Sequence, residues 1–341
     1  MREPEFWWRE GSIGGRLLAP AGTIYSAVAR MRLARRGGRA VVPVICIGNL
    51  VLGGAGKTPA AMAVAKLLKR ARERPIFLTR GYGGRLQGPI TVDAATHHAR
   101  EVGDEPLLLA QVAPTIVARR RVDGAKAAIA AGATVIVMDD GFQNPSLHKD
   151  FSLLVIDSVQ AVGNGRVFPA GPLRAPLFAQ LRHAGALVVV GEGRAAAKVA
   201  SHAQRLKVPL FAASLKPDSD FISALERGRV LAFAGIGNPD KFFATLAAAG
   251  IALGDTRSFP DHHFYTRAEA QDLCARADAE GFVLVTTEKD MARLAGDSEL
   301  AELAAQAHAL PVKLAFENEG ALSEMLVARL GTARKEVADR I

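Results

Sequence analysis

Short apolar runs alternate with amphipathic helical patterns along most of this 341-residue chain. The runs consist largely of Val, Ile and Leu without a polar residue at every second position, which is typical of strands buried on both faces of a parallel sheet. The pattern predicts an α/β fold with a doubly wound parallel sheet. Apart from the run that leads into Gly48, the predicted strands are 75–79, 135–138, 151–157, 186–191, 230–237, 281–287 and 311–316.

A change in composition near residues 216–220 divides these strands into two series, and the chain is long enough for two cores. We therefore predict an N-terminal amphipathic segment over 1–36, a larger α/β core domain over 37–218 and a smaller α/β domain over 219–341. The two cysteines, Cys46 and Cys274, have the spacing of neither a disulfide framework nor a metal site. A reducing, cytosolic compartment is expected for the active site.

A glycine-rich turn closed by Gly-Lys-Thr follows the first strand. Where side chains are absent, backbone N–H groups can approach a polyphosphate, and the helix that follows directs its positive end at the anion. The lysine adds a charge and the threonine hydroxyl can bind Mg²⁺. The common pattern has a glycine where this chain has Val51. The predicted phosphate-binding residues are Gly53, Gly54, Ala55, Gly56, Lys57 and Thr58.

Two adjacent carboxylates, Asp139 and Asp140, follow the strand 135–138. Ligands of parallel sheets collect at the carboxyl ends of the strands, and a divalent cation relieves the repulsion between neighbouring acids. We predict that Asp139, Asp140 and Thr58 hold Mg²⁺ and that Asp139 thereby takes part in catalysis. Three polar side chains in or beside glycine-rich loops are candidate substrate contacts: Arg80, Gln143 and Arg174.

Two further residues have a catalytic and a simpler interpretation. Asp104 lies in Gly103-Asp-Glu-Pro106 before an apolar helix, where the helix dipole alone favours a carboxylate. His262 follows Pro260 and Asp261, and a loop histidine is usually only solvated. Either residue could instead serve as an acid or a base. The residues by themselves leave both interpretations open.

Residues 4–36 combine aromatic, apolar and basic side chains. Leu17, Ala21, Ile24, Val28 and Met31 fall on one face of a predicted helix, and arginines crowd its C-terminal end. Such a helix can lie on an anionic membrane surface or pack on the core of the protein, and both remain open. The first 40 residues carry +5 of the formal charge of +9, so the charge is local and we expect no nucleic-acid binding. No apolar tract is long enough for a membrane span, and a signal-peptide pattern is absent.

Several motifs, in a shared order over about residues 10–290, together resemble the tetraacyldisaccharide 4′-kinase family. The motifs are Gly48-Asn-Leu, Gly53-Gly54-x-Gly56-Lys57-Thr58-Pro59, Arg80-Gly-Tyr-Gly83, Gly103-Asp-Glu-Pro106, Asp139-Asp-Gly-x-Gln143, Pro169-Ala-Gly-Pro-Leu-Arg174, Pro260-Asp-His262 and Thr287-Glu-Lys-Asp290. The chain departs from the family pattern at Val51, where Ser or Thr is common, and at Ala175, where relatives have a glutamate.

The resemblance implies transfer of the γ-phosphate of ATP, with Mg²⁺, to the 4′-hydroxyl of a tetraacyldisaccharide 1-phosphate, a lipid A precursor. It implies two α/β domains joined by a hinge, with Asp104 acting together with His262 on the acceptor hydroxyl. It also implies an N-terminal helix on the cytoplasmic face of the inner membrane, which favours membrane contact for residues 4–36. The alternative is a soluble P-loop NTPase that couples ATP hydrolysis to a protein partner and forms no phosphorylated product.

Overall fold

A computed structural model describes residues 3–54, 56–225 and 228–339 of the chain. Most of these residues are organised around a nine-stranded sheet whose spatial order is β13-β8-β7-β6-β1-β5-β2-β4-β3. The strands pair in parallel except for the two antiparallel pairs at the edges, β3 with β4 and β13 with β8. The strands of this sheet are β1 Val44–Asn49, β2 Pro75–Thr79, β3 Ile90–Thr91, β4 Thr115–Val117, β5 Val135–Asp139, β6 Phe151–Asp157, β7 Ala186–Val190, β8 Leu210–Pro217 and β13 Val312–Phe316.

A second, smaller sheet is parallel throughout and has the order β10-β9-β11-β12. Its strands are β9 Val230–Ala234, β10 Leu253–Ser258, β11 Val283–Thr287 and β12 His308–Leu310. Phe233 and Leu231 of the central strand are fully buried in a core separate from those of the large sheet. The predicted α/β fold, with a large parallel sheet and a smaller α/β unit, is confirmed.

Helices cover both faces of the large sheet, which gives it two cores. Single helical turns of the 3-10 type lie at Glu5–Trp8 and Ser298–Leu300. The helices are α1 Ile13–Leu17, α2 Ala19–Ala34, α3 Lys57–Arg70, α4 Ala99–Val102, α5 Asp104–Ala110, α6 Arg121–Ala130, α7 Leu177–Arg182, α8 Ala197–Arg205, α9 Ser219–Leu225, α10 Pro239–Ala248, α11 Arg267–Glu280, α12 Glu288–Leu294, α13 Ala301–Gln306 and α14 Glu319–Ala338.

The C-terminal elements differ from the predicted domain boundary, which assigned all of 219–341 to the smaller unit. Strand β13 pairs with β8 and extends the large sheet. Leu322, Leu326 and Leu330 of α14 are buried in the same core as the apolar face of α3. The chain therefore returns to the large sheet after β12, because the apolar face of α14 completes a core that α3 alone leaves open.

The N-terminal helices lie on the loop 163–174 with their small residues inward. Gly22 is buried, and a Cβ at that position would meet the Val167 carbonyl oxygen at 2.9 Å. The predicted apolar face of α2 points away from the protein: Ile24 is 71% exposed and Met31 60% exposed. Within the described residues, no helix combines the length and apolar character needed to cross a bilayer.

Candidate active site

The predicted phosphate loop connects β1 to α3. Gly56 caps α3 in the left-handed region, with φ of +79°, and a Cβ at Gly54 or Gly56 would meet no atom within 4 Å. The space beside the loop is therefore open to a ligand. Lys57 and Thr58 form the first turn of α3, and Lys57 Nζ donates to the Gly53 carbonyl at 3.2 Å. Of the predicted loop residues, Ala55 lies outside the described part of the chain.

The loop is held by its neighbours on both sides. Asn49, fully buried, donates from Nδ2 to the Gly53 carbonyl at 3.0 Å. Val51, which replaces the usual small or hydroxyl residue, forms an isolated antiparallel bridge with Leu173. A β-branched residue suits this extended, buried position. The loop 163–174 thus supports the start of the phosphate loop through backbone pairing.

Asp139 ends β5 as predicted, and it is 1% exposed. Neither of its carboxylate oxygens has a hydrogen-bond partner among the described residues. Burial, together with the charges of Glu105 and Asp140, raises the pKa of Asp139 to about 7 despite the opposing charge of Lys57. A buried carboxylate is stabilised only when donors or a cation compensate its charge, so Asp139 fits the requirements of a metal ligand.

Asp140 is the neighbour of Asp139 but has different surroundings. Its carboxylate accepts from Arg174 Nη1 at 2.7 Å and from Nη2 at 3.2 Å. Burial opposes ionisation, but the charges of Lys57 and Arg174 outweigh it and lower the pKa of Asp140. In this arrangement Asp140 is paired with Arg174, whereas Asp139 is free to meet a cation. Among the described residues, no cluster of three or more His, Cys, Asp or Glu side chains is placed to hold a metal by itself.

The predicted substrate contacts have different environments. Gln143 Nε2 donates to the Asn49 carbonyl at 2.9 Å and to Gln180 Oε1 at 3.0 Å, so this amide supports the end of β1. Arg174 holds Asp140 and also donates from Nε to the Val51 carbonyl at 2.9 Å. Arg80 is exposed just beyond the end of β2. Of the three residues, Arg80 is the one most accessible to a ligand.

The structure brings Asp104 and His262 together. His262 Nδ1 lies 3.4 Å from Asp104 Oδ2, and the ring of His262 contacts the ring of Tyr82 with centroids 4.9 Å apart. His262 has a φ of +55°, which a non-glycine residue adopts rarely. Asp104 begins α5 and is 3% exposed, whereas the His262 side chain is 27% exposed. The carboxylate is therefore buried beside an imidazole that is partly exposed to solvent.

Asp104 has further partners that the sequence did not indicate. Arg293 donates to Asp104 Oδ2 from Nε at 2.8 Å and also from Nη2, while the Glu105 N–H donates to Oδ1 at 2.8 Å. Burial by itself would raise the pKa of Asp104, but the hydrogen bond from His262 and the charges of Arg293 and Lys289 hold it well below its ordinary value. Asp104 is therefore ionised at neutral pH.

Other residues of the site were also missed by the sequence analysis. Glu105, next to Asp104, accepts from Lys289 Nζ at 2.5 Å. The motifs Gly103-Asp-Glu-Pro106 and Thr287-Glu-Lys-Asp290 contain Glu105 and Lys289 and were the available signals for this pair. Arg121, 2% exposed at the start of α6, lies within electrostatic reach of Arg80 and Asp140, and its Nε has no hydrogen-bond partner among the described residues. No motif pointed to Arg121.

The fold and the site define a class of protein. A parallel sheet whose central strand leads into a Gly-Lys-Thr loop, with a buried carboxylate at the end of the neighbouring strand β5, is the arrangement of P-loop nucleotide-binding proteins. A second carboxylate, Asp104, is ionised and lies beside the partly exposed His262. A phosphotransferase uses such a carboxylate to orient the acceptor hydroxyl.

The family model described as Tetraacyldisaccharide-1-P 4′-kinase matches residues 15–331, and the chain belongs to this family. Tetraacyldisaccharide 4′-kinase of Rhodopseudomonas palustris (strain BisB5) is 51% identical over 334 residues, which cover 98% of each chain. The enzyme of Methylobacterium nodulans is 53% identical over 335 residues, covering 98% of this chain and 97% of the relative. The family prediction made from the motifs is confirmed.

A solved structure supports the same assignment. The crystal structure of LpxK from Aquifex aeolicus in complex with ATP matches with a TM-score of 0.72 and 28% sequence identity. The match covers 93% of this chain and 99% of that chain. The similarity therefore extends over both sheets of the protein.

Proposed function

We propose that this chain transfers the γ-phosphate of ATP to the 4′-hydroxyl of a tetraacyldisaccharide 1-phosphate and so forms the 1,4′-bisphosphate. The observation that carries the proposal is the proximity of the phosphate loop to the carboxylates at the start of α5. The phosphate loop presents Lys57, and the ionised Asp104 lies on the helix whose next residue, Glu105, is within electrostatic reach of Lys57 and of Asp139. Family membership supplies the identity of the acceptor.

The nucleotide is assigned to the phosphate loop. Gly54 and Gly56 leave open space, the N–H groups of the first turn of α3 are available to an anion, and Lys57 supplies a charge for the β- and γ-phosphates. The lysine is 9% exposed and bonded only to a backbone carbonyl in the described structure, so no carboxylate partner must be displaced when ATP binds. ATP is also the nucleotide in the Aquifex aeolicus structure.

Asp139 and Thr58 are assigned to Mg²⁺, with Asp140 close by. Mg²⁺ prefers one or two carboxylates together with phosphate oxygens and water, which agrees with a site that has one free carboxylate and one hydroxyl. The metal, when bound, neutralises charge on the phosphates. Asp140, held by Arg174, completes the negative surroundings of Asp139 without leaving its own ion pair.

Asp104 is assigned to the acceptor hydroxyl. In phosphoryl transfer the transition state is loose, so the base mainly orients the hydroxyl and accepts its proton late. A carboxylate that remains ionised and is fixed by Arg293 meets this requirement even though it is a weak base. His262, more exposed and 3.4 Å away, is assigned to orient the acceptor or the carboxylate.

The N-terminal helices are assigned to the membrane surface that holds the lipid. Ile13 and Leu17 are each 75% exposed and Ile24 is 71% exposed, and apolar side chains in such a row normally mark a contact surface. Five exposed arginines on or beside the same helices can bind anionic headgroups: Arg16, Arg30, Arg32, Arg35 and Arg36. We therefore propose that the enzyme lies peripherally on the cytoplasmic face of the inner membrane.

The test measures label from [γ-³²P]ATP in lipid and in inorganic phosphate, with and without a tetraacyldisaccharide 1-phosphate in detergent. The proposal predicts lipid-borne label that depends on the acceptor and on Mg²⁺. Label released only as inorganic phosphate, at a rate raised by cell extract and not by lipid, would instead support the soluble NTPase. The comparisons do not favour that alternative, because the relatives that match almost the full chain are named as kinases.

A further inference from the structure

The first turn of α5 belongs to the domain built around the large sheet, called here the large-sheet domain. It faces α12, which belongs to the domain built around the smaller sheet, called here the smaller domain. Asp104 and Glu105 are the first two residues of α5, and Lys289 and Arg293 stand one helical turn apart on α12. Lys289 pairs with Glu105 and Arg293 pairs with Asp104, so each carboxylate of the large-sheet domain meets one cation from α12. The Thr287-Glu-Lys-Asp290 motif supplies the N-cap and the first three residues of this helix, and the proposed reaction assigns no role to it.

Arg293 is almost completely enclosed, with its side chain 1% exposed. Nε and Nη2 donate to Asp104, while Nη1 donates to the Gly235 carbonyl at 2.6 Å and to Asp290 Oδ1 at 2.7 Å. The guanidinium therefore uses all three of its nitrogens. One edge holds the carboxylate of the large-sheet domain, and Nη1 is anchored in the smaller domain.

Asp290, which accepts from Nη1 of Arg293, is itself held in place by other residues of the smaller domain. Asp290, fully buried, accepts from the Tyr265 hydroxyl at 3.0 Å, from the Gly235 N–H at 3.0 Å and from the Thr287 hydroxyl at 2.6 Å. These contacts do not involve the large-sheet domain. The Nη1 end of Arg293 is therefore held by groups of its own domain, independently of the contact with Asp104.

We propose that Arg293 is a positioning residue for the phosphoryl transfer: docked on the large-sheet domain, it fixes the Asp104 carboxylate in the orientation that receives the acceptor hydroxyl and keeps it charged. The proposal rests on the proposed function. It extends the proposed function by assigning the smaller domain a part in catalysis, because Arg293 of that domain donates hydrogen bonds to the base Asp104. Asp104 therefore has its full set of donors only when the two domains are in contact.

The electrostatic surroundings of Asp104 agree with this role. The groups that face it are Arg293 and Lys289 from α12, His262 from the loop after β10, and its own neighbour Glu105. Burial of a carboxylate without these cations raises its pKa. Loss of the Arg293 charge is therefore expected to let the pKa of Asp104 rise, so that a larger fraction is protonated on the acidic side of neutrality.

The test is Arg293→Gln in the full chain, assayed for lipid phosphorylation from pH 4.5 to 8.5. We expect kcat at neutral pH to fall about 10- to 100-fold, the KM for ATP to stay within about 3-fold, and the acidic limb of the kcat profile to move to higher pH. In an Asp104→Asn background the same substitution should change kcat by less than about 3-fold, since the two residues act as a unit.

Lys241→Gln is the matched control. Lys241 of α10 pairs with Asp157 at 2.5 Å and also links the smaller domain to the large sheet, but it does not touch Asp104. If Arg293 only held the domains together, both variants would lower activity equally at every pH, in proportion to the folded fraction from thermal melting. That result would overturn the proposal.

Arg293→Lys covers the case in which the glutamine variant does not fold. It retains the charge but not the planar fork, so we expect the acidic limb to stay at its wild-type position while kcat falls. Wild-type kcat in the lysine variant would contradict the positioning role. Absence of lipid phosphorylation by the wild-type enzyme would be a failure of the proposed function and is thereby distinguished from both outcomes.

Discussion

Asp139→Asn should change how the stability of the ligand-free protein depends on pH. In the folded state the pKa of Asp139 is raised to about 7, because the carboxylate is buried and lies near Glu105 and Asp140. In the unfolded chain an aspartate titrates near about pH 4. The folded protein therefore retains a proton that the unfolded chain has lost, and its free energy of unfolding falls as the pH rises from about 4 to about 7.

The size of this effect follows from the difference between the two pKa values. Each pKa unit corresponds to about 1.4 kcal/mol, so the ionisation of Asp139 destabilises the folded state by at most about 4 kcal/mol above pH 7. Asparagine does not ionise, so the variant does not lose stability in this way as the pH rises. Its buried amide, without partners, lowers stability by about 1–3 kcal/mol at every pH, so the diagnostic quantity is the change with pH and not the absolute difference.

The assay is denaturant unfolding of wild type and Asp139→Asn between pH 5 and 8 without nucleotide or metal. The stability of the variant relative to wild type should rise over this range and level off above pH 7. Asp157→Asn is the control: Asp157 is paired with Lys241, which lowers the pKa of Asp157, so this variant should show no such gain. Parallel pH profiles for wild type and Asp139→Asn would refute the reasoning.

Three further outcomes are expected. Lys57→Ala should reduce kcat by about 100-fold or more with an unchanged melting temperature, because it removes a charge from the transferring phosphate; wild-type-like turnover would contradict the phosphate-loop assignment. Asp104→Ala and His262→Ala should each lower kcat, and the double variant should lose much less than the product of the two single losses; a simple product in steady-state assays would mean that they act independently. Leu17→Glu with Ile24→Glu should weaken binding to anionic vesicles by at least about tenfold in co-sedimentation, since each buried apolar side chain contributes about 1.5–3 kcal/mol, and undiminished binding would count against membrane contact.

The sequence predicted the central strands because they are apolar on both faces. Strands β1, β2, β5, β6 and β7 have this pattern, and the structure contains all five. Strand β10 was missed, because Leu253–Ser258 contains charged residues and is only partly buried at the edge of the smaller sheet. The placement of β13 could not be read from its own residues, because it depends on pairing with the distant strand β8.

Some residues of the candidate site could likewise be predicted from local sequence, whereas others could not. The phosphate loop and Asp139 follow from local motifs, since each lies at the end of a recognisable strand. Arg293 could not be found in this way, because its significance depends on contact with a carboxylate 189 positions earlier in the chain. The pairing of Asp140 with Arg174 was also beyond the sequence, and it leaves Asp139 as the better candidate for a metal ligand.

The most direct measurement of the central claim is the position of the new phosphate on the lipid product. The purified enzyme is incubated with ATP, Mg²⁺ and a tetraacyldisaccharide 1-phosphate, and the product is analysed by mass spectrometry and ³¹P NMR. We expect one added phosphate, as a monoester on the 4′-oxygen, and none with Lys57→Ala. A phosphate on another hydroxyl, or ATP consumed to ADP and inorganic phosphate with the lipid unchanged, would contradict the assignment.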